Sequence, residues 1–174
     1  MRKILIVVDM QNDFISGALG SDDAKSIVAN VRNKIKAFDG EIYFTKDTHY
    51  DDYLETQEGK NLPVKHCIKD TWGWEIEDSL KEFATNPVIE KETFGSSSLG
   101  IFLSQIEEEE HIDEITFIGL CTVICVISNA MVAKAFVKEA KLIVDASCCA
   151  GVTKASHNTA LDAMKACQVD VINR

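Results

Sequence analysis

The stretch Glu114-Ile-Thr-Phe-Ile-Gly-Leu-Cys-Thr-Val-Ile-Cys-Val-Ile-Ser-Asn-Ala-Met131 decides the fold of this chain. Its first six residues are mostly apolar and rich in β-branched and aromatic side chains, which predicts a buried strand. From Val126 onward the sequence is long and alanine-rich, which predicts a helix. The connection is short, with Gly119 at an awkward backbone turn and Thr122 as the expected N-cap. A strand that leads directly into a helix is the unit of a parallel sheet.

Cys125 falls in the first turn of this predicted helix, beside the carboxyl end of the strand. Unpaired N–H groups and the helix dipole favour an anion there, so we expect a thiolate suited to nucleophilic attack. Two other interpretations stay open. One is a buried thiol that packs as a small hydrophobic residue, and the other is a metal or redox site shared with Cys121. The C-x-x-x-C spacing differs from the C-x₂-C of most zinc sites.

The composition limits the class of protein. The length of 174 residues predicts one domain over residues 1–174, and the 46% hydrophobic content is typical of a soluble globular protein. A net charge of −10 makes nucleic acid and anionic membranes poor partners. No apolar run is long enough to span a membrane, and the N-terminus does not resemble a signal peptide. With six cysteines and no secretory signal, we expect reduced thiols and a cytoplasmic location.

Strand and helix patterns alternate along the whole chain. Apolar runs predict strands over residues 3–8, 41–45, 87–90, 114–119, 141–145 and 169–172. Helical spacing predicts helices over residues 21–38, 72–83, 97–109, 126–137 and 153–167. This alternation predicts an α/β fold with a parallel sheet and helices on both of its faces. The polar, acidic segment 50–65 is too long for a passive connection and is expected to cover a site.

Chemically active side chains follow four of these strands. Asp9, Asp47 with His49, Lys91 and Cys125 each stand at the carboxyl end of a different predicted strand. Ligands of open parallel sheets bind at that edge. A charge beside a core is costly unless it is paired, and these side chains are able to pair with one another. We therefore expect them to meet in one pocket.

A cysteine, a lysine and an aspartate form a self-consistent set for hydrolysis. The Lys91 ammonium would hold Cys125 as a thiolate, while Asp9 would balance the lysine and carry a proton. Amides of the turn between Gly119 and Cys125 would supply the two donors that an oxyanion needs. The alternative is that Asp9 and Lys91 form only a stabilising ion pair.

Asp47 and His49 are two residues apart, so on an extended backbone their side chains project from one face. With His66 they offer two imidazoles and a carboxylate, a set that suits zinc with positions left open. The alternative is that these are surface histidines. His157 begins a predicted helix and is expected to be a surface or structural residue.

Three segments together resemble the isochorismatase-like cysteine hydrolases, a family that includes the nicotinamidases. They are Val8-Asp-Met-Gln-Asn-Asp-Phe14, Lys91 with Phe94-Gly-Ser96, and Gly119-Leu-Cys-Thr-Val-Ile-Cys-Val126. The resemblance spans essentially the whole chain and implies a Rossmann-like three-layer αβα sandwich with a six-stranded, mostly parallel sheet. It also implies homo-oligomers, either dimers or tetramers.

The resemblance further assigns roles to individual residues. It implies a triad of Asp9, Lys91 and Cys125, and a cis peptide between Leu120 and Cys121 that turns the amides of Cys121 and Cys125 into an oxyanion hole. It places Phe14 and Leu120 in the substrate pocket. Zinc or another divalent metal would be held by Asp47, His49 and His66 and would bind a pyridine nitrogen.

The chain departs from the family pattern at three positions. Val123 replaces an aspartate of many relatives, and Tyr53 stands where some nicotinamidases have a further histidine ligand. Leu62 or Pro63 stands where some relatives have a pocket tryptophan. These differences bear on the choice of nicotinamide more than on amide hydrolysis itself.

The expected function is therefore nicotinamidase activity, which converts nicotinamide and water to nicotinate and ammonia. One alternative is an amidase of the same family that acts on another small amide, such as a carbamoyl or ureido compound. Two others are a thiol redox or metal-storage protein that uses Cys121, Cys125, Cys148 and Cys149, and a non-catalytic binding module.

Overall fold

The structure, a computed structural model, describes residues 1–174 and contains one sheet of six strands. All strand pairs are parallel, in the order β3-β2-β1-β4-β5-β6. This confirms the predicted parallel sheet. The strands are β1 (Lys3–Val8), β2 (Glu41–Asp47), β3 (Ile89–Lys91), β4 (Glu114–Leu120), β5 (Lys141–Ala150) and β6 (Asp170–Ile172).

Helices connect the strands and cover both faces of the sheet. They are α1 (Asn12–Ile15), α2 (Asp22–Ala37), α3 (Gln57–Asn61), α4 (Ser97–Glu109), α5 (Ile127–Phe136) and α6 (Lys154–Ala166). Short 3₁₀ turns occupy Tyr53–Glu55, Trp72–Trp74 and Lys81–Phe83. None of the helices combines the length and apolar character that crossing a bilayer requires.

The core lies in two layers, one on each side of the sheet. Ile4, Ile6 and Val8 of β1 pack against apolar residues of α4, α5 and α6. The alternate residues Leu5 and Val7 pack on the other side, against α2 and Leu80. Side chains of a strand alternate between faces, so a central strand buried on both faces is apolar throughout. The three-layer αβα sandwich expected from the family resemblance is therefore present.

The helix predicted over residues 72–83 is absent, and that prediction was wrong. Its apolar residues have helical spacing, but the segment forms two separate 3₁₀ turns, and Ile76 between them makes an antiparallel bridge with Gln11. Two side chains at the start of α1 hydrogen-bond to the backbone of this segment. Asn12 Nδ2 donates to the Trp72 carbonyl at 2.8 Å, and Gln11 Nε2 donates to the Trp74 carbonyl at 2.9 Å. Carbonyls bonded in this way are satisfied without a helix.

Candidate active site

Three side chains from the ends of β1, β3 and β4 meet at the carboxyl edge of the sheet. The Lys91 ammonium nitrogen lies 2.7 Å from Asp9 Oδ2 and 3.5 Å from Cys125 Sγ. All three side chains are buried. The sequence separates them widely, so the crossover connections of the sheet bring them together.

Asp9 is held in a fixed orientation. It has a left-handed backbone with φ of 47°, and Thr45 Oγ1 donates a hydrogen bond of 2.6 Å to its Oδ1. Its Oδ2 forms an ion pair of 2.7 Å with the Lys91 ammonium nitrogen. A buried carboxylate oxygen with a free lone pair is able to accept a proton.

The buried surroundings shift the pKa values of all three side chains. Burial raises the pKa of the Cys125 thiol well above its usual range, and the charge of Asp9 adds to the shift while Lys91 opposes it. Burial also raises the pKa of Asp9. Burial lowers the pKa of Lys91, but the charges of Asp9, Cys125 and Asp47 outweigh it, and the net shift is upward. The raised pKa values favour the protonated forms of Cys125 and Asp9 and the ammonium form of Lys91.

Replacing Asp9 with asparagine is expected to accelerate alkylation of Cys125 by iodoacetamide at neutral pH. Asparagine keeps the shape but removes the charge that raises the thiol pKa, so the pKa falls and the thiolate fraction rises. Alkylation is measured by mass spectrometry of the Cys125 peptide. The exposed Cys167 serves as an internal reference. An unchanged or slower rate at Cys125 would contradict this description of the pair.

The turn that carries Cys125 is irregular. Gly119 has a φ of +116°, and a Cβ at this position would overlap the Val8 carbonyl oxygen, so only glycine fits. The Leu120–Cys121 peptide is cis. Residues Thr122–Val126 form a π-helical turn in which the amides of Ile124 and Val126 both donate to the Cys121 carbonyl, at 3.1 and 3.0 Å.

Thr122 is not the N-cap that the sequence predicted. No side chain caps this turn, and the Thr122 hydroxyl instead forms a 2.8 Å hydrogen bond with Nδ1 of His157 in α6. The π-helical geometry turns this side chain toward a neighbouring helix. A threonine that precedes an apolar helix usually caps it, so this difference could not be predicted from the sequence.

Sequence reasoning missed Asn129, a buried residue of α5. Its Nδ2 donates to the carbonyls of Cys125 at 2.8 Å and Phe94 at 3.0 Å, and its Oδ1 accepts from the Ser96 amide at 3.0 Å. Asn129 thus ties the loop after Lys91 to the helix after Cys125. The available signal was an asparagine inside a mostly apolar helix, since a buried amide needs partners.

A second group of side chains lies next to these residues. The predicted residues Asp47, His49 and His66 are joined by Glu58, and one ligand atom from each lies within 4.8 Å of all the others. Sequence reasoning missed Glu58, which belongs to α3 in the segment expected to cover a site. Tyr53 supports the group: its ring packs on those of His49 and His66, with centroids 4.7 and 5.1 Å away.

The spacing of these four residues fits a tetrahedral metal. Bonds of about 2.0–2.1 Å place neighbouring ligand atoms of zinc about 3.3 Å apart. His49 Nε2 lies 3.0 Å from Asp47 Oδ2 and 3.6 Å from Glu58 Oε1. His66 Nε2 lies 3.6 and 3.7 Å from the same two oxygens. Because Nδ1 of His66 lies 2.8 Å from the Val64 carbonyl, its Nε2 is free to bind a metal.

The electrostatics of the group also suit a cation. Burial raises the pKa of Glu58, and the nearby charge of Asp47 raises it further. A divalent ion would relieve this repulsion between carboxylates. Gln11 holds Asp47 by its backbone, accepting from the Asp47 amide and donating to its carbonyl, both at 2.8 Å.

A cavity of about 440 Å³ joins the two groups. Cys125 lines it together with Asp47, Glu58 and His66, and no lysine or arginine contributes to its wall. Most of the wall is apolar and includes Phe14, Leu19, Leu62, Leu120, Ile124 and Val152. Phe14 and Leu120, the two residues expected in a substrate pocket, both line this cavity. A largely apolar pocket with a few convergent polar groups is typical of a small-molecule site.

The chain is similar to known proteins over this whole framework. A family model described as the isochorismatase domain matches residues 3–174. The nicotinamidase of Saccharomyces cerevisiae is 27% identical over an alignment that covers 75% of this chain and 81% of that protein. A crystal structure of nicotinamidase from Bacillus subtilis has a TM-score of 0.84 at 28% identity, covering 98% of this chain and 99% of that one.

A more distant structure shares the fold alone. The pyrazinamidase of Pyrococcus horikoshii, solved in complex with zinc, has a TM-score of 0.81 at 23% identity. Each chain is covered over 100% of its length.

Proposed function

This chain belongs to the isochorismatase family, and from that premise we propose that it is a nicotinamidase, which hydrolyses nicotinamide to nicotinate and ammonia. The observation that carries the proposal is the single cavity that Cys125 shares with Asp47, Glu58 and His66. Nicotinamide has two groups that need different partners: the amide carbon, which a nucleophile attacks, and the ring nitrogen, which a metal can bind. The cavity offers a nucleophile for the first and a metal-binding group for the second.

In the first half of the reaction, Cys125 Sγ attacks the amide carbon while Asp9 Oδ2 takes the thiol proton. Sγ then carries the forming C–S bond, and the carbonyl oxygen becomes an oxyanion that the amides of Cys121 and Cys125 stabilise. Collapse of the tetrahedral intermediate breaks the C–N bond, and Asp9 passes its proton to the leaving nitrogen. The products of this half are ammonia and a thioester on Cys125.

In the second half, water replaces the amine. Asp9 takes a proton from the water as its oxygen attacks the thioester carbon, and the C–S bond then breaks. The proton returns to Cys125, which restores the starting pair. Lys91 stays charged throughout, and its contact of 2.7 Å with Asp9 and 3.5 Å with Cys125 stabilises whichever of the two is anionic.

We further propose that Asp47, His49, His66 and Glu58 hold a divalent metal, with zinc as the first candidate. When bound, the metal supplies a Lewis acid that orients a ring nitrogen. This chain's own residues position the ring itself: Phe14 lies against His66 with ring centroids 5.6 Å apart, and Leu120 also lines the cavity.

The apolar wall favours an aromatic amide over the carbamoyl and ureido alternatives. Such compounds are polar over their whole length and often carry a carboxylate, which requires a cationic partner. The cavity wall contains no lysine or arginine. Leu62, at the position compared with a family tryptophan, supplies an apolar surface without an aromatic face.

A substrate panel is expected to show this preference. We expect kcat/KM for nicotinamide and pyrazinamide to exceed that for benzamide. For N-carbamoyl amino acids, we expect kcat/KM to be lower than for nicotinamide by about 10²-fold or more. Benzamide is the matched control because it has the same shape without a ring nitrogen. Ammonia release measures turnover. Equal rates for all these compounds, or a preference for the carbamoyl compounds, would contradict nicotinamidase activity.

A further inference from the structure

We propose that His157 is a positioning residue for the reaction, acting through Thr122 on the turn that carries Cys125. The inference rests on the proposed function for its kinetic readout but not for its structural one. His157 does not line the cavity that contains Cys125. Its effect therefore passes through the hydrogen bond of 2.8 Å between its Nδ1 and Thr122 Oγ1.

Thr122 occupies a position from which it controls both amides assigned to the oxyanion. It follows Cys121 directly, and Cys125 is three residues further along the same π-helical turn. Its side chain is fully buried, so its hydroxyl cannot exchange His157 for bulk water. Losing the partner would leave a buried hydroxyl unsatisfied, and the turn would shift to satisfy it.

His157 is itself fixed against the wall of the active-site cavity. It lies in the first turn of α6, which Thr153 and Ser156 cap reciprocally, and its amide donates to the Thr153 carbonyl at 2.9 Å. A Cβ at Gly151 would come within 3.0 Å of the backbone N, Cα and Cβ of His157. Gly151 also lines the cavity, so its close packing fixes the position of His157 relative to the cavity wall.

The charge state of His157 suits this role. Burial lowers the pKa of its imidazole, and the nearby Arg174 lowers it further. A neutral imidazole has one donor and one acceptor nitrogen, so it pairs with a hydroxyl without placing a positive charge behind the turn. The hydrogen bond between His157 and Thr122 thus acts as an uncharged brace between α6 and the turn.

A brace of this kind acts mainly on kcat. The oxyanion forms only after attack, so misplaced amide donors weaken the transition state more than the bound substrate. Removal of the hydrogen bond is expected to lower kcat by about tenfold to a hundredfold while KM changes by about twofold or less.

Two pairs of matched variants test the proposal. Asparagine places an amide group near the position of imidazole Nδ1, whereas glutamine places it near Nε2. We therefore expect His157→Asn to keep kcat within about threefold of the unmodified protein and His157→Gln to lose it. Likewise Thr122→Ser keeps the hydroxyl, and the isosteric Thr122→Val removes it. In the double variant Thr122→Val/His157→Gln, kcat is expected to be no lower than in either single variant, because both substitutions remove the same hydrogen bond.

A structural readout separates this proposal from nicotinamidase activity. Backbone hydrogen exchange in a peptide covering residues 120–127 is expected to be faster in Thr122→Val than in Thr122→Ser, whether or not nicotinamide is turned over. Absence of turnover by the unmodified protein would reject the proposed function alone. The brace is rejected by equal exchange in the two threonine variants, by equal kcat in the two histidine variants, or by additive losses in the double variant.

Discussion

Cys125→Ala is expected to lower kcat for nicotinamide by about 10⁴-fold or more. The proposed reaction passes through a thioester, and Cys125 is the thiol placed to form it: its Sγ lies 3.5 Å from the Lys91 ammonium nitrogen, whereas the neighbouring Cys121 has no hydrogen bond with Lys91. The measurement is ammonia release under single-turnover conditions, with thermal unfolding to verify that the variant folds. Residual turnover within about tenfold of the unmodified protein would remove Cys125 from the chemistry.

The control for this variant is Cys167→Ala, which also removes one thiol but from an exposed position. It is expected to keep full activity. A second observation follows from the same mechanism: hydroxylamine added during turnover competes with water for the thioester, and the hydroxamate of nicotinate accumulates. Direct attack by water on the amide would leave no acyl group on the protein and no partition of this kind.

Much of the fold was available from the sequence because the signals are local. The first strand was predicted over residues 3–8, and β1 has the same bounds; the helix predicted over residues 97–109 coincides with α4. Ser96 caps α4 through the Leu99 amide at 3.0 Å, a start signal that is readable from the chain. The failure over residues 72–83 has a non-local cause, since the competing hydrogen bonds come from Gln11 and Asn12.

The same difference between local and non-local causes decides which residues of the candidate site could be predicted. Asp9, Lys91 and Cys125 were predictable because the carboxyl ends of parallel strands share one edge. Glu58 was not predictable: it belongs to a short helix in a segment without hydrophobic period, and its position depends on Tyr53, whose hydroxyl donates to the Leu62 carbonyl at 2.9 Å. The upward shift of the Cys125 pKa also depends on burial and on the Asp9 charge, which a sequence does not contain.

Replacing His66 with alanine is expected to abolish stoichiometric zinc binding and to lower kcat/KM for nicotinamide by about 10²-fold or more. His66 is buried, and its Nε2 lies within 3.7 Å of both carboxylates, so its loss removes one corner of the tetrahedron. Elemental analysis of the dialysed protein measures the metal directly. His111→Ala is the matched control, because His111 is exposed and its only ion-pair partner is Glu107, four residues before it.

Stability provides a second readout that does not depend on turnover. A metal that binds only the folded state stabilises it by about 2.7 kcal/mol when its concentration is a hundred times the dissociation constant. We therefore expect zinc to raise the melting temperature of the unmodified protein and of His111→Ala, but not that of His66→Ala. Equal zinc content in the three proteins, or an equal shift in all of them, would contradict the metal site.

The size of that zinc-dependent difference also distinguishes a metal site from an ion-pair network. Without a metal, Asp47 already has partners in His49 at 3.0 Å and in Lys91 at 3.1 Å, so loss of His66 leaves its charge compensated. Glu58 has no lysine or arginine partner, and its pKa is raised by burial and by Asp47. A network of ion pairs alone would be destabilised by His66→Ala equally with and without zinc. A site built for a cation is destabilised mainly when zinc is present, because only then does Glu58 gain the positive charge that its position requires.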